Sequence, residues 1–438
     1  MASRTVGAGP IAARPGHRLH YAWVVLGVTF VTLLTAAAVR SLPGILTHPL
    51  EAEFGWNRAT IGVAVAINVL LFGLVGPFVG RVMDRLGARA VAGAATLLIA
   101  LGAAGTLGMS RPWHLDLLWG LVVGVGSGGA TMVMGSAVAN RWFATHRGLA
   151  LGILGAATSA GQIIFTPTLM QLTLRWGWRG STLVIAAIVG LLVFPLVTLV
   201  LRNRPADVGL QPYGATGATA GEFPLQADAH PMRRAVRTGD FWLLAGSFAI
   251  CGLTTSGLIQ THLIPHGTEH GFSEMTMAAA LGVMGAADVV GTIASGWICD
   301  RFGPRGPLAF YYLFRGMSLL LLPYIHTRGT MLAFAVLYGL NWISTVPPTA
   351  ALAADRFGRQ NVGTVFGWIF CAHQVGAAIA AYGAGFLRVW LGNYTFSFLL
   401  AGGLAFIGAG LAFGIRGPVH RLSHGDRASV RCPEPAAE

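Results

Sequence analysis

Four ionisable side chains stand within stretches that are otherwise apolar, and these are the residues with which the chain could do chemistry. Arg40 lies in Ala38-Val39-Arg40-Ser41-Leu42-Pro43-Gly44, Asp288 stands eight residues before Gly296, Arg315 ten residues after Arg305, and His373 within Phe370-Cys371-Ala372-His373-Gln374. A charge inside a long apolar segment is costly unless it faces a partner or a wet cavity, so each is a candidate for holding an anion or moving a proton. At about 1.5 Å per helical residue, Asp288 and Arg315 fall roughly 12 to 18 Å from the same turn of chain, and the shared depth predicts that they pair. Such a pair is either a neutralised strut or a switch whose partnering changes with protonation or with a bound anion. Arg40 reads equally as a side chain reaching back to an aqueous boundary. His373, whose ring titrates near neutrality and donates hydrogen bonds to anions, reads equally as a packing residue.

The elements that must hold these groups are long apolar helices. Hydrophobic residues make up 54% of the 438-residue chain, charged residues 10%, and the mean hydropathy is +0.64, whereas soluble domains carry about 25% charged residues. Runs long enough to cross a hydrocarbon core of about 30 Å fall near 21–42, 59–79, 88–109, 114–139, 148–172 and 180–201, and again near 240–264, 274–297, 306–325, 330–353, 362–386 and 394–415. The pattern predicts an all-α membrane protein of twelve helices. Its parts are a six-helix bundle in 1–201, a loop at 202–239 that becomes a Gly/Ala/Thr-rich tether, a second bundle in 240–415 and a tail at 416–438. Asn68, Gln162, Gln260, Asn341 and Gln374 are further polar groups inside the runs, expected to tie helices together or to line a cavity.

The two halves repeat. Gly80-Arg81-Val82-Met83-Asp84-Arg85-Leu86-Gly87-Ala88-Arg89 recurs as Gly296-Trp297-Ile298-Cys299-Asp300-Arg301-Phe302-Gly303-Pro304-Arg305, offset by 216 residues. Each copy is a charged hairpin between two apolar runs. This doubled loop resembles the signature of the major facilitator superfamily, which implies two pseudo-symmetric bundles working by alternating access. Asp84 and Asp300 can accept hydrogen bonds from amides at a helix N-terminus, and Arg85, Arg89, Arg301 and Arg305 can pair with a carboxylate or a helix C-terminus. Such contacts form in one packing of the bundles and break in another, giving the hairpins a gating role.

All 29 basic residues are arginine, and the formal charge is +13. With the N-terminus placed in the cytoplasm, 21 arginines fall on the inner side and six, Arg58, Arg111, Arg175, Arg179, Arg328 and Arg388, fall in or beside outer loops. This bias orients a multi-pass protein of the cytoplasmic (inner) membrane with both termini inside, so the charge reports topology and not a nucleic-acid partner. Cys251, Cys299, Cys371 and Cys432 show no C-x-x-C spacing, which gives neither a disulfide framework nor a zinc site. His262, His266 and His270 recur every four residues, but Pro265 interrupts them, and boundary histidines are the expectation over a metal site. Without phosphate-cradling, hydrolase or metalloprotease motifs the chain is not read as an enzyme, and no cofactor is implied.

Finer stretches resemble the monocarboxylate transporters and the bacterial oxalate/formate antiporter group. They are Leu50-Glu51-Ala52-Glu53-Phe54-Gly55-Trp56-Asn57-Arg58, Arg141-Trp142-Phe143, Arg147-Gly148-Leu149-Ala150-Leu151-Gly152, Gly177-Trp178-Arg179 and the run from Arg204-Pro205 to Gly214. The resemblance implies a basic residue followed by Ser late in the first helix, matched by Arg40-Ser41, and an Asp in the eighth, matched by Asp288. It also implies an arginine four residues after that Asp, where this chain has Thr292, and for the oxalate group a lysine in the eleventh helix, which this chain lacks. Arg315 and His373 are the candidates to fill those roles. The implied function is secondary transport of a small organic anion, a monocarboxylate, with protons or by exchange, by a monomer among membrane lipids. Export of a larger amphipathic compound and a non-transporting sensor on the same fold are the alternatives.

Overall fold

The computed structural model describes residues 20–56, 58–215 and 230–416, apart from the side chains of a few helix residues, Gln162 among them. These residues form twelve long helical elements: α1 (Tyr21–Phe54), α2 (residues 58–86), α3 (Ala88–Thr106), α4 (Pro112–Trp142), α5 (147–176), α6 (178–200), α7 (Gly239–Glu269), α8 (Glu274–Phe302), α9 (Arg305–Leu321), α10 (328–357), α11 (Val362–Leu391) and α12 (Thr395–Gly414). Their apolar exteriors, with exposed Leu74, Phe78, Leu174, Leu191, Val290, Phe310 and Ile407, suit hydrocarbon, where only closed backbone hydrogen bonding survives.

Four interruptions shape the helices, one of them within α4, where Ala130 and Thr131 leave the helical conformation. Gly177 takes a left-handed φ of 71° between α5 and α6, and the Thr173 hydroxyl donates to Ser181 at 2.8 Å. Eight residues of straight helix would separate those two by about 12 Å, so the chain folds back there. α2 bends by 47° between Leu74 and Gly76, next to Pro77, whose ring cannot sit in an unbroken ladder. α10 is broken between its halves Arg328–Gly339 and Val346–Phe357.

The helices α1–α6 and α7–α12 make two bundles. In the half of the molecule that carries the Asp-Arg hairpins, one apolar core runs through both, joining Val25, Met83, Val133 and Leu151 to Phe248, Leu308, Ala351 and Phe366. In the opposite half the core divides, with Leu42, Ile61, Ile99, Trp119 and Ile185 in the first bundle and Ile259, Leu263, Met284, Phe334 and Phe398 in the second. The bundles are therefore closed together at the hairpin face and separately packed at the other.

The opening of the loop after α6, residues 202–215, is folded, whereas the Gly/Ala/Thr-rich run expected to be a tether lies outside the described residues. Asp207 accepts from the amides of Asn203 and Arg204 at 3.1 and 3.0 Å, shaping a short helix at Pro205–Val208. Further on, the Tyr213 amide donates to the Trp142 carbonyl at 2.8 Å and its carbonyl accepts from Ala144 at 2.9 Å. The Tyr213 ring sits among His20, Trp23, Phe143 and His146, with centroids 5.3 to 5.9 Å away. Residues 202–215 thus strap the first bundle across the α4–α5 turn.

Candidate functional site

The repeat in sequence reappears as a repeat in bonding. Asp84, at the end of α2, accepts from the Thr364 amide at 3.0 Å and the Thr364 hydroxyl at 2.7 Å, at the start of α11 in the other bundle. Asp300, at the end of α8, accepts from the amides of Gly148 and Leu149 at 2.6 and 2.7 Å, at the start of α5. Thr364 and Gly148 are themselves 216 residues apart. Each carboxylate meets the positive end of a helix dipole belonging to the opposite bundle. Backbones approach closely beside these caps: a side chain on Gly148 or Gly296 would meet the other's carbonyl, and one on Gly80 the carbonyl of Gly363.

The arginines that complete this lock are not the hairpin ones. Arg141 pairs with Asp84 at 3.1 Å, and Arg147 crosses the bundles to Asp355 at 2.6 Å. No carboxylate among the described residues pairs with Arg85 or Arg301; Arg301 lies over the rings of Trp297 and Phe302. Arg305 donates to the Phe413 carbonyl near the end of α12, and the Arg89 amide donates to Asn203 at 2.9 Å. Gly87 and Gly303 end α2 and α8 with positive φ. A second repeated pair lies at the far face. Glu53, in the last turn of α1 beyond its apolar stretch, bonds the Trp178 indole and Arg179, each at 2.6 Å, and Glu269, 216 residues on, bonds Arg388 at 2.8 Å. The Trp178 hydrogen bond and the Arg179 guanidinium hold the Glu53 carboxyl below its ordinary range.

At mid-depth, Asp288 and Arg315 are both fully buried, but they do not pair. Each instead holds one side of the break in α10. The Arg315 guanidinium donates to the carbonyls of Asn341 and Trp342 at 2.6 and 2.9 Å and to the Asn341 amide oxygen at 3.0 Å. Its other terminal nitrogen reaches the Cys251 sulfur at 3.1 Å and Thr254 at 3.4 Å. Asp288 accepts from the Ile343 amide at 2.7 Å, from Thr292 at 3.0 Å, and from the Ser159 hydroxyl. The opened turn offers carbonyls on one side and an amide on the other, so the cation takes the carbonyls and the anion the amide. This complementarity replaces the direct ion pair expected from depth alone.

Ser159 belongs to α5, so the Asp288 carboxylate links the two bundles. It completes a face of small residues, Gly148, Gly152, Gly155 and Ser159, laid along Gly296, Ile293, Thr292 and Asp288 of α8. That spacing was a readable signal for close helix approach.

Arg40 and His373 sit at the two ends of a run of rings that crosses the bundles. The Arg40 guanidinium lies 4.0 Å over the Phe72 ring. Phe72 meets Phe370 edge-on at 5.8 Å, Phe370 lies parallel to His373 at 5.8 Å, and Phe248 packs on His373 at 4.8 Å. His373 is buried with its Nδ1 unpartnered and interacts with Cys251, which ties it to Arg315. Among the other polar candidates, Asn68 donates to the Trp119 carbonyl at 2.9 Å within its own bundle, and Asn341 belongs to the α10 break. Gln374 is half-buried beside Gly73, Gln260 is exposed, and the Gln162 side chain lies outside those described. His262 bonds the Ala381 carbonyl at 2.9 Å and His266 packs at a tilt against Phe398; no cluster of three metal-ligating side chains occurs among the described residues.

The model for the Major Facilitator Superfamily matches residues 28–381. The chain belongs to the major facilitator superfamily. Similar superfamily proteins include an uncharacterized MFS-type transporter, YcxA of Bacillus subtilis, 26% identical over 381 residues that cover 83% of this chain and 87% of that one. Monocarboxylate transporter 13 of Rattus norvegicus is 27% identical over 391 residues, 89% and 87% of the two chains. Monocarboxylate transporter 11 of Homo sapiens is 27% identical over 415 residues, 90% and 83%. Among solved structures, the proton:xylose symporter XylE aligns with a TM-score of 0.69 at 17% identity, over 91% of this chain and 96% of that one. The E. coli fucose:proton symporter FucP aligns with a TM-score of 0.65 at 18% identity, over 90% and 99%. These last two speak for the fold alone. The superfamily member described here is accordingly a multi-pass membrane transporter and not an enzyme.

Proposed function

We propose that this superfamily member moves a small organic anion, a monocarboxylate, across the cytoplasmic membrane by alternating access, together with protons or by exchange. The observation that carries the reading is the Asp288 carboxylate, the one acid at the middle of a span, bonded at once to Ser159 of the first bundle and to the broken turn of α10. A proton added there alters a contact between the bundles and a helix break in the same event. The names of the curated relatives, monocarboxylate transporters 11 and 13, support the substrate class.

The anion is taken by Arg40, with which no carboxylate pairs among the described residues, and by His373. Arg315 is held by carbonyls, so the anion does not compete with Asp288 for it. Neutralising Asp288 as the anion arrives keeps the loaded cavity's net charge low during closure, which makes binding and protonation mutually favourable. The arginine bias supports a cytoplasmic hairpin face and cytoplasmic termini. The conformation closed at that face is then outward-facing. The rocking units are 1–201 and 240–415, joined by the cytoplasmic segment 202–239 and followed by the tail 416–438, and a monomer suffices.

Reconstituted vesicles test the coupling. The Asp288→Asn protein is expected to lose accumulation driven by a pH difference while retaining exchange at equal concentrations on both sides. Accumulation against a gradient by that variant, driven by pH alone, overturns the assignment of Asp288.

A further inference from the structure

The surroundings of Arg40 and His373 narrow the substrate beyond its carboxylate. Arg40 is held over the face of Phe72 at 4.0 Å, a geometry that orients a cation without occupying its hydrogen-bond donors. The other buried guanidinium is not available: both terminal nitrogens of Arg315 are bonded to Cys251, Thr254, Asn341 and Trp342. One arginine therefore remains for one carboxylate. Between Arg40 and His373 lie the rings of Phe72 and Phe370, with Phe248 packed on both Phe370 and His373. These rings offer no group to a hydroxyl, a keto oxygen or a second carboxylate. A second charge placed against them would be desolvated without a partner, which is strongly unfavourable, whereas an apolar body gains in proportion to the area it removes from water.

Resting on the transport reading above, we propose that the substrate is a monocarboxylate with an apolar, aromatic body, bound by Arg40 and His373 with its ring against Phe72 and Phe370. Phe72 and Phe370 then set specificity. They come from opposite bundles and already meet edge-on at 5.8 Å.

Counterflow into vesicles preloaded with benzoate distinguishes the possibilities, using external benzoate, phenylacetate, acetate, lactate and oxalate as probes. Benzoate and phenylacetate are expected to exchange at least about tenfold better, as kcat/KM, than acetate or lactate, and oxalate not at all. The ratio of benzoate to acetate should fall severalfold in Phe370→Leu and in Phe72→Leu, two variants that keep an apolar side chain. Monodisperse elution in detergent identifies whichever of them is folded. If acetate, lactate or oxalate exchanges as well as benzoate, the aromatic assignment falls while the transport reading stands. A ratio unchanged in the folded variant removes the two rings as its cause. If no carboxylate exchanges into vesicles preloaded with any of the five, the transport reading fails and this assignment with it.

Discussion

Replacing Asp84 by alanine isolates half of the hairpin-face lock. The Asp84 side chain is 5% exposed and loses two hydrogen bonds to Thr364 across the bundles and one to Arg141 within its own. A hydrogen bond to a charged group contributes about 1.5–3 kcal/mol, and breaking a buried pair about 3–5 kcal/mol. Only the Thr364 bonds differ between the closed and separated states, so about 3 kcal/mol of closure is lost, roughly a 150-fold shift. A separated state populated at about 1% would rise to about 60%. The exposed hairpin arginines supply reporters, one per bundle: spin labels at Arg85→Cys and Arg301→Cys, with Cys251, Cys299, Cys371 and Cys432 replaced, give a distance by pulsed electron resonance. Asp84→Ala is expected to move the main population to a longer distance and Asp84→Asn to do so partly, with reduced uptake at equal expression. An unchanged distance distribution in the folded Asp84→Ala protein would refute the account of Asp84 as a cross-bundle cap.

Gly148→Val forces a side chain against the Gly296 carbonyl and the Asp300 carboxylate; the same labels should report separated hairpins, and wild-type uptake would contradict the close approach. Arg315→Gln leaves the carbonyls of residues 341 and 342 short of donors, at a cost of about 2–3 kcal/mol, expected as a lower melting temperature in detergent as well as lost transport. The Glu53–Arg179 pair has a definite pH sense. A carboxyl depressed in the folded state adds stability that is complete above its unfolded value of about 4.3 and fades as pH falls through the lower folded value. Fluorescence of Trp178, whose indole donates to Glu53, should therefore change only below about pH 4, and Glu53→Gln should abolish that transition.

The helices, their six-plus-six grouping and the doubled hairpin were legible because periodicity, span length and repeat are local properties of the chain. Asp288 and Arg315 were legible as buried charges for the same reason. Their relation was not, because depth along two helices says nothing of a third: the break between Gly339 and Val346 supplies peptide groups that satisfy each ion separately. Arg141, Arg147 and Asp355 resemble ordinary loop charges until the other bundle is in place. The fold-back around Tyr213 at the start of the central loop is not legible in the sequence, because its partners His20, Trp23, Phe143 and His146 are distant along the chain.

The strap at 202–215 bears on how the polypeptide can be divided. Among the described residues it bonds to its own bundle, over the turn that presents Arg147 and the amides of Gly148 and Leu149 to the opposite half. An open reading frame cut between codons 215 and 230 would leave that brace on the first product, so two separately translated halves should meet with one set of cross-bundle contacts already shaped. A cut after codon 201 would send the brace to the wrong polypeptide, and the reassembled pair would have to recover it from the partner.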